Sequence, residues 1–282
     1  MPKKTGITSM ILNGLTAQNT YYSPDLPKHW FSLSNPTLTF YVKISMLVLK
    51  ASKLCKKGAY TNDHWIQDSL NTIRALEAVG GRFEIRNLDV IRKLESPCVF
   101  VSNHMSILET FVLPCLIQPH CDVTFVIKES LMSFPFFKHV MRSRNPIIVG
   151  RDNPRQDLKT VLNEGRNRLK ANTSIIIFPQ TTRSIHFDPK NFNSLGVKLA
   201  KRCKVPVVPL ALKTDAWGNG ERFKDFGKIC PDKSVYITFS DPLRVEGSGK
   251  EEHAFIVDFI VKELDSYVEK KGHIDGKKDY IN

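Results

Sequence analysis

Short apolar runs alternate along this chain with segments in which apolar residues recur every three or four positions. The short runs predict buried strands, and the periodic segments predict amphipathic helices. We predict strands at 82–86, 98–102, 123–127, 146–149, 174–178, 205–212 and 235–239. We predict helices at 37–57, 62–79, 107–117, 135–142, 153–170, 192–202 and 250–271. The alternation indicates an α/β fold with a mixed, largely parallel sheet that is covered by helices on both faces.

The first 80 residues differ from the rest of the chain. Residues 1–36 contain four prolines among aromatic residues, a composition that predicts an irregular arm. Two predicted helices follow, and Gly80 and Gly81 end the second of them. We therefore expect an N-terminal arm with a two-helix membrane-docking segment over 1–80, and an α/β domain over 81–282.

The first of these helices is strongly apolar, but lysines interrupt it. Lys43, Lys50 and Lys53 lie within residues 38–54, so the segment lacks the run of about 18 uncharged apolar residues that a membrane-spanning helix needs. A short apolar helix edged by lysines can lie in a membrane interface. It can equally be an amphipathic helix that packs on the core of its own protein, and the sequence leaves both interpretations open.

The chain is basic, with 41 lysines and arginines against 28 aspartates and glutamates and a formal charge of +13. Such a surplus favours nucleic acid, anionic lipid or phosphorylated substrates as partners, unless it serves solubility alone. The basic residues are scattered among acidic ones without a nucleic-acid-binding motif, so we expect no nucleic acid partner. The six cysteines contain no C-x-x-C pair, which indicates a reducing compartment, and we expect no metal.

A polar turn with a histidine and a carboxylate follows the predicted strand 98–102. The turn carries His104, and Glu109 comes five residues later. A histidine oriented by a carboxylate is the minimum equipment for activating a hydroxyl. Ser106 and Glu109 also match a helix-capping box, which is a purely structural interpretation. The two interpretations are compatible, because both place the pair at the carboxyl end of a strand, where α/β proteins bind their ligands.

Three further segments carry candidate chemistry. Strand 174–178 leads into residues 181–184, whose hydroxyl, backbone N–H and guanidinium groups suit a phosphate or an oxyanion. The extended run 146–149 delivers Arg151. The apolar run 205–209, with its two prolines, is by itself only structural.

The order of these four segments resembles the glycerolipid acyltransferase family, of the lysophosphatidic acid and glycerol-3-phosphate acyltransferase type. Members carry a histidine and an acid separated by four residues, an arginine block, a Phe-Pro-Glu-Gly-Thr-Arg-Ser block and a Val-Pro-Val-(Ile/Val)-Pro block. The corresponding positions here are His104 with Glu109, Arg151, 178–184 and 205–209. The resemblance covers residues 82–240, and the segment around Lys128 also resembles the family.

The resemblance implies a role for each of these residues. His104 would be the general base, and Glu109 would orient and stabilise its ring. An anionic headgroup would be bound by Arg151, Arg183, Lys128, Thr182 and Ser184. Backbone N–H groups of the turn would form the oxyanion site, with Pro179, Gln180 and Thr181 as candidates. No cofactor is implied, and the co-substrate would be an acyl-CoA or acyl carrier protein thioester.

The implied function is transfer of a fatty acyl group from an acyl thioester to a hydroxyl of a lysophospholipid, with 1-acylglycerol 3-phosphate as the expected acceptor. Residues 81–282 would then be an α/β acyltransferase domain. Because the substrates are lipids, we expect the protein to associate with the cytoplasmic face of a membrane. It would do so through an interfacial segment and an anionic lipid surface, not through a spanning helix.

Three departures from the family pattern keep alternatives open. Glu109 stands where the family has aspartate, and it keeps the carboxylate. Gln180 replaces a glutamate and removes a charge, while Thr181 replaces a glycine and removes backbone freedom. One alternative is therefore a non-phosphate or unusual lipid acceptor. Another is a non-catalytic lipid-binding member of the same fold.

Overall fold

One eight-stranded sheet runs through the part of the chain that the structure describes. This computed structural model describes residues 15, 18–25, 34–134, 137–222 and 224–276, with side chains as far as Tyr267. The strands are β1 (Thr20–Tyr22), β2 (Phe83–Arg86), β3 (Val99–Ser102), β4 (Asp122–Lys128), β5 (Ile147–Val149), β6 (Thr173–Ile177), β7 (Val207–Lys213) and β8 (Val235–Phe239). Their order across the sheet is β1-β2-β8-β7-β3-β6-β4-β5.

Five neighbouring strands of this sheet are parallel. β7, β3, β6, β4 and β5 all run in one direction, so their carboxyl ends meet at one edge. β8 is antiparallel to β7, and β2 is parallel to β8. The predicted mixed, largely parallel sheet is confirmed.

Eight α-helices connect and cover the described strands. They are α1 (Pro36–Lys56), α2 (Asn62–Glu77), α3 (Asp89–Arg92), α4 (Leu108–Ile117), α5 (Phe137–Ser143), α6 (Pro154–Lys170), α7 (Leu195–Cys203) and α8 (Lys250–Gly276). Seven of them match the predicted helices with boundaries that differ by a few residues, and α3 was not predicted. The first two residues of the predicted helix 135–142 lie outside the described residues.

The sheet separates two apolar cores, because successive side chains of a strand point to opposite faces. Phe100 of β3 packs with residues of α1, α2 and α4 on one face. Val99 and Val101 pack with residues of α6, α7 and α8 on the other. α7 lies close to β3, since a Cβ added at Gly196 would come within 2.3 Å of a Val101 methyl. The predicted cover of helices on both faces is confirmed.

The N-terminal segment packs on the sheet. β1 lies in the arm that the sequence predicts to be irregular, and it pairs with β2. Most of residues 1–36 lie outside the described part. The hydroxyls of Tyr21 and Ser23 each donate to the Glu77 carboxylate at 2.6 Å, which fastens β1 to α2. The division of the chain at residue 80 stays a prediction, and the pairing of β1 with β2 crosses it.

α1 has one buried and one exposed apolar face. Phe40 and Ile44 belong to the core, so the helix packs on its own protein. Its outward face exposes Leu38, Val42, Met46 and Leu49. Among the described residues, no helix is both long enough and apolar enough to cross a bilayer.

Candidate active site

The carboxyl edge of the parallel strands brings the predicted site residues into one region. Asn103 extends the pairing of β3 with β7 beyond the last residue of the strand. Its side chain donates to Leu212 O at 2.7 Å and accepts from Leu212 N at 2.9 Å. This buried amide ties the start of the next turn to β7, and the turn carries His104.

Neighbouring residues hold both the ring and the backbone of His104. Its Nδ1 lies 2.8 Å from Glu109 Oε1, and its ring stacks on Phe178 with centroids 4.3 Å apart. The backbone N–H of His104 donates to Gln180 Oε1 at 2.6 Å, and its carbonyl accepts from Ser184 N at 2.9 Å. The turn after β6 therefore fixes the histidine, and Nε2 is the ring nitrogen left for a substrate.

Glu109 is fully buried and remains a carboxylate. It accepts hydrogen bonds from Met105 N at 2.8 Å, Ser106 N at 3.0 Å and Thr214 Oγ1 at 2.6 Å, besides its contact with His104. Burial alone would raise the pKa of Glu109, but the bond and charge of His104 and the other donors hold it below its usual value. The carboxylate can thus stabilise a protonated imidazole.

The start of α4 differs by one residue from the predicted start at 107. The helix begins at Leu108, whose N–H donates to Ser106 Oγ at 3.1 Å. The Glu109 carboxylate reaches back to the backbone N–H of Ser106. The N-cap residue is Ile107 and no side-chain hydrogen bond caps it, so the predicted capping box with Ser106 is not formed. The Glu109 carboxylate nevertheless contacts both Ser106 N and His104 Nδ1.

Thr214 is a site residue that the sequence analysis missed. It directly follows β7, is completely buried and donates its hydroxyl to Glu109 Oε2. Ser106 Oγ donates to the carbonyl oxygen of Thr214 at 2.9 Å. The sequence indicates only a structural role for the apolar run 205–209. The polar pair Thr214 and Asp215, which directly follows the strand containing this run, was the signal that could have indicated a site residue.

Arg151 follows β5 in a left-handed conformation with φ of 70°, which is uncommon for a residue other than glycine. The carboxylate of Asp157 stabilises it by accepting from Gly150 N at 3.1 Å and Arg151 N at 2.9 Å. The Arg151 guanidinium donates to the carbonyl of Thr181. Burial lowers the pKa of Arg151 and Asp157 opposes the shift, but guanidinium groups stay charged.

The other predicted headgroup residues of the 178–184 turn have hydrogen-bond partners other than Arg151. Arg183 Nη2 is 2.5 Å from Asp225 Oδ1, and Thr182 Oγ1 accepts from Lys224 Nζ at 2.9 Å. Ser184 Oγ donates to His186 O at 2.6 Å. These three residues therefore contact their own loop or the segment after β7, and not Arg151.

Lys128 is the last residue of β4 and lies opposite Val149 of β5, at the same edge as the site. Pro179 was predicted as an oxyanion donor, and this is wrong because proline has no backbone N–H. Its carbonyl instead accepts from Asn193 Nδ2 at 2.5 Å. Gln180 and Thr181 keep the N–H that an oxyanion site needs.

A cationic cleft and an apolar cavity lie in the region of the turn that carries His104. The cleft, of about 460 Å³, is lined by Arg151, Arg155 and Lys198 together with the turn residues Phe178 and Gln180 that touch His104. The cavity, of about 310 Å³, lies between α1 and α4. It is lined mostly by apolar and aromatic side chains, including Tyr41, Ile44, Val48, Ile107, Phe111, Leu131, Phe137, Trp217 and Phe226.

The comparisons with known proteins agree with this architecture. The family model described as Acyltransferase matches residues 82–213. The 1-acyl-sn-glycerol-3-phosphate acyltransferase of Pseudomonas aeruginosa is 35% identical over 170 residues, which are 60% of this chain and 62% of that protein. The enzyme of the same name from Saccharomyces cerevisiae is 26% identical over 178 residues, 62% of this chain and 55% of the relative. The chain thus spans about three fifths of the curated relatives it matches.

A solved structure shows the same fold. The crystal structure of the 1-acyl-sn-glycerophosphate (LPA) acyltransferase PlsC from Thermotoga maritima has a TM-score of 0.62 to this chain at 17% sequence identity. The match covers 82% of this chain and 93% of that one.

Proposed function

We propose that this chain transfers a fatty acyl group from a thioester to the free hydroxyl of 1-acylglycerol 3-phosphate, because its residues 82–213 match the family model described as Acyltransferase. The observation that carries the proposal is the 2.8 Å contact between His104 Nδ1 and the buried Glu109 carboxylate. The similar enzymes of Pseudomonas aeruginosa and Saccharomyces cerevisiae are named for this acceptor, which supports it.

The proposed reaction uses His104 Nε2 as the general base. Nε2 takes the proton of the acceptor hydroxyl as that oxygen attacks the thioester carbonyl carbon, and Glu109 stabilises the imidazolium that forms. The carbon–sulfur bond then breaks, and the departing thiolate receives the proton from the imidazolium. The nucleophile belongs to the acceptor, so no acyl-enzyme forms.

The phosphate of the acceptor would be bound by cations beside the turn. Arg151 lines the cleft next to Gln180, which touches the histidine backbone. Arg183, with its chain neighbours Thr182 and Ser184, is the second candidate, and Asp225 would have to yield its place to the phosphate. Lys128, at the end of β4, is a further candidate cation. A fatty chain fits the apolar cavity beside Ile107 and Phe111. The N–H groups of Gln180 and Thr181 are the remaining oxyanion candidates.

The proposal is tested by thioester consumption across a panel of acceptors. We expect rapid thiol release with lysophosphatidic acid, and rates lower by about tenfold or more with an uncharged lyso-lipid of the same chain, because the latter lacks the charge that Arg151 binds. Mass spectrometry of the lipid product checks that the acyl group reached the acceptor. Equal rates with uncharged acceptors would favour the non-phosphate alternative, and no transfer to any acceptor would favour a lipid-binding role.

The departure at Gln180 weakens the case for an unusual acceptor. Its side chain is buried and its Oε1 accepts from the His104 backbone. A glutamate at this position could accept the same hydrogen bond, so the substitution preserves the support of the histidine. We therefore keep the phosphate-bearing acceptor as the proposed substrate.

We place the protein at the cytoplasmic face of an anionic membrane, with α1 in the interface. Its exposed residues Leu38, Val42 and Met46 recur every four positions, so they form one stripe on the helix. The helix also carries Lys43 and Lys50. Apolar side chains in the acyl boundary and lysines at the headgroups are the usual arrangement of an interfacial helix.

Introducing charge into this stripe tests the docking. We expect the Val42→Glu/Met46→Glu protein to bind phosphatidylglycerol vesicles at least about tenfold more weakly, because two buried apolar contacts are replaced by like-charge repulsion. Transfer to a detergent-dispersed acceptor should be unchanged. The matched control is Ile148→Glu/Phe255→Glu, which charges two exposed apolar residues elsewhere. Sedimentation with vesicles measures both, and an equal loss in the control would contradict docking through α1.

A further inference from the structure

The segment that follows β7 places an adjacent cation and anion against the turn after β6. Lys224 Nζ donates to Thr182 Oγ1 at 2.9 Å, and Asp225 Oδ1 lies 2.5 Å from Arg183 Nη2. Two neighbouring residues of one segment contact two neighbouring residues of the other, so the two contacts lie side by side. The segment therefore brings one further positive charge and one competing negative charge to candidate phosphate-binding residues.

The pair of Arg183 with Asp225 occupies the position that a phosphate on Arg183 would take. Both side chains are mostly buried, with exposed fractions of 15% and 21%. A guanidinium in such surroundings is costly to leave without a counter-ion. A phosphate offers the guanidinium fork the same kind of oxygen pair as a carboxylate does, so it can replace Asp225. A neutral headgroup cannot, because it would leave Arg183 unpaired.

Lys224 is the charge that would favour the phosphate in this exchange. Its side chain is exposed, and its ammonium has three N–H donors, of which the contact with Thr182 uses one. The remaining donors can turn to an anion on Arg183, because the two contacts are neighbours. Exchange of one anion for another on Arg183 alone gains little, whereas an added charge-assisted bond from Lys224 shifts the balance towards the phosphate.

Asp225 also lines the apolar cavity that is proposed for the fatty chain. The next residue, Phe226, is part of the same wall. A lysophospholipid carries its phosphate and its chain on one glycerol, so it requires a cation and an apolar cavity that adjoin. They adjoin at Asp225, whose carboxylate contacts Arg183. A free phosphate would have no use for the cavity, and the arrangement therefore favours a lipid headgroup.

The same segment is fastened to α1, the helix that is proposed to lie in the membrane interface. Trp217 Nε1 donates to Tyr41 Oη at 3.0 Å, and Tyr41 Oη donates to Gly227 O at 2.8 Å. These bonds fix the segment on both sides of Asp225. A helix in the interface thus presents the charged pair to the headgroup layer, in which a lysophospholipid acceptor resides.

We propose that Lys224 binds the phosphate of the lysophospholipid acceptor, and that Asp225 holds Arg183 until this phosphate displaces it. The proposal rests on the acyl transfer proposed above and names residues that select its acceptor. Lys224 and Arg183 bind the phosphate from two sides once Asp225 has moved away. Asp225 excludes neutral lipids, because they cannot take its place on Arg183.

Two substitutions at adjacent positions test the proposal by effects of opposite sign. The KM for lysophosphatidic acid should rise about tenfold in the Lys224→Gln protein, because a charge-assisted hydrogen bond to the phosphate is lost. It should fall about threefold or more in the Asp225→Asn protein, because the competing anion is removed. Steady-state kinetics at saturating thioester measure both. Damage to the fold cannot produce this pair of results, since it would not lower a KM.

The matched controls are Lys228→Gln and Glu221→Gln, which remove exposed charges of the same signs from the same segment. Each should change the KM by less than about twofold. Controls that shift the KM as much as the test variants would overturn the proposal, since net charge alone would then explain the effect. An unchanged KM in both test variants would also overturn it and would leave the phosphate to Arg151.

Direct binding separates this inference from the proposed function. Calorimetric titration with lysophosphatidic acid in detergent should show the same two changes in Kd, and it requires no turnover. Changes in Kd without acyl transfer by wild type would count against the proposed function alone. A second titration uses inorganic phosphate, which should bind at least about a hundredfold more weakly because it lacks the chain. Equal affinity for both would overturn the selection of a lipid headgroup.

Discussion

Replacing His104 with alanine is expected to lower kcat for acyl transfer by about 10⁴-fold, because the acceptor hydroxyl then loses the base that takes its proton. The His104 ring contacts Glu109 and Phe178. An alanine side chain at this position leaves the hydrogen bonds of the residue's own backbone intact. The variant should therefore fold and bind lipid as wild type does. Thiol release and product mass spectrometry, with vesicle binding as a check of folding, measure the effect.

A second histidine provides the matched control. His64 caps α2, where its Nδ1 lies 2.8 Å from Thr61 Oγ1. The unfolding free energy of the His64→Ala protein should fall by about 1 kcal/mol, because the cap of α2 loses a contact. Its kcat should be unchanged. Retention of more than a tenth of wild-type kcat by the His104→Ala protein would show that another group accepts the proton.

Replacing Glu109 with glutamine is expected to lower kcat by about 10³-fold. The amide can no longer stabilise an imidazolium, and its NH₂ group would face the N–H groups of Met105 and Ser106 that now donate to the carboxylate. The unfolding free energy should also fall by about 1–3 kcal/mol, because buried donors lose their acceptor. Steady-state kinetics and denaturant unfolding measure the two effects separately.

Another buried carboxylate distinguishes catalysis from stability. Glu77 accepts from Tyr21 and Ser23 and lies in the contact between β1 and α2. Glu77→Gln should destabilise the protein by a similar amount without a large loss of kcat. A Glu109→Gln protein that loses only stability would assign Glu109 a structural role alone.

The pH dependence of stability has a definite sign. The folded pKa of Glu109 is held below its usual value, so the folded state favours the ionised form. This contribution is fully present above the unfolded pKa of about 4.3 and is lost as the pH falls through the folded pKa. The folded state therefore favours the ionised carboxylate near neutral pH, and wild type should lose more stability on acidification than Glu109→Gln does.

The sequence predicts the parallel part of the fold well because its strands are short apolar runs separated by helical periodicity. It predicts the contact of His104 with Glu109 for a related reason, since a residue just before a helix and one in its first turn lie close together. β1 was missed because a three-residue strand has too few positions to show an alternating pattern.

Other parts of the site depend on contacts distant in the chain. Thr214 meets Glu109 across a separation of 105 residues, and Arg183 meets Asp225 across 42. Neither pair has a local pattern in the sequence, because each contact forms only when the sheet brings the segment after β7 close to the segment after β3 or β6. The left-handed backbone conformation of Arg151 could not be predicted from the sequence either. It depends on the contact with Asp157, and no glycine marks the position.

The most direct test of the central claim compares kcat of the His104→Ala/Glu109→Gln protein with kcat of the single variants. Because Glu109 acts through His104, the double variant should be no slower than His104→Ala, within about threefold, as for residues that work as a unit. A double variant that is slower by the product of the two single losses would show that the residues act independently, and would contradict the proposed base and its orienting carboxylate.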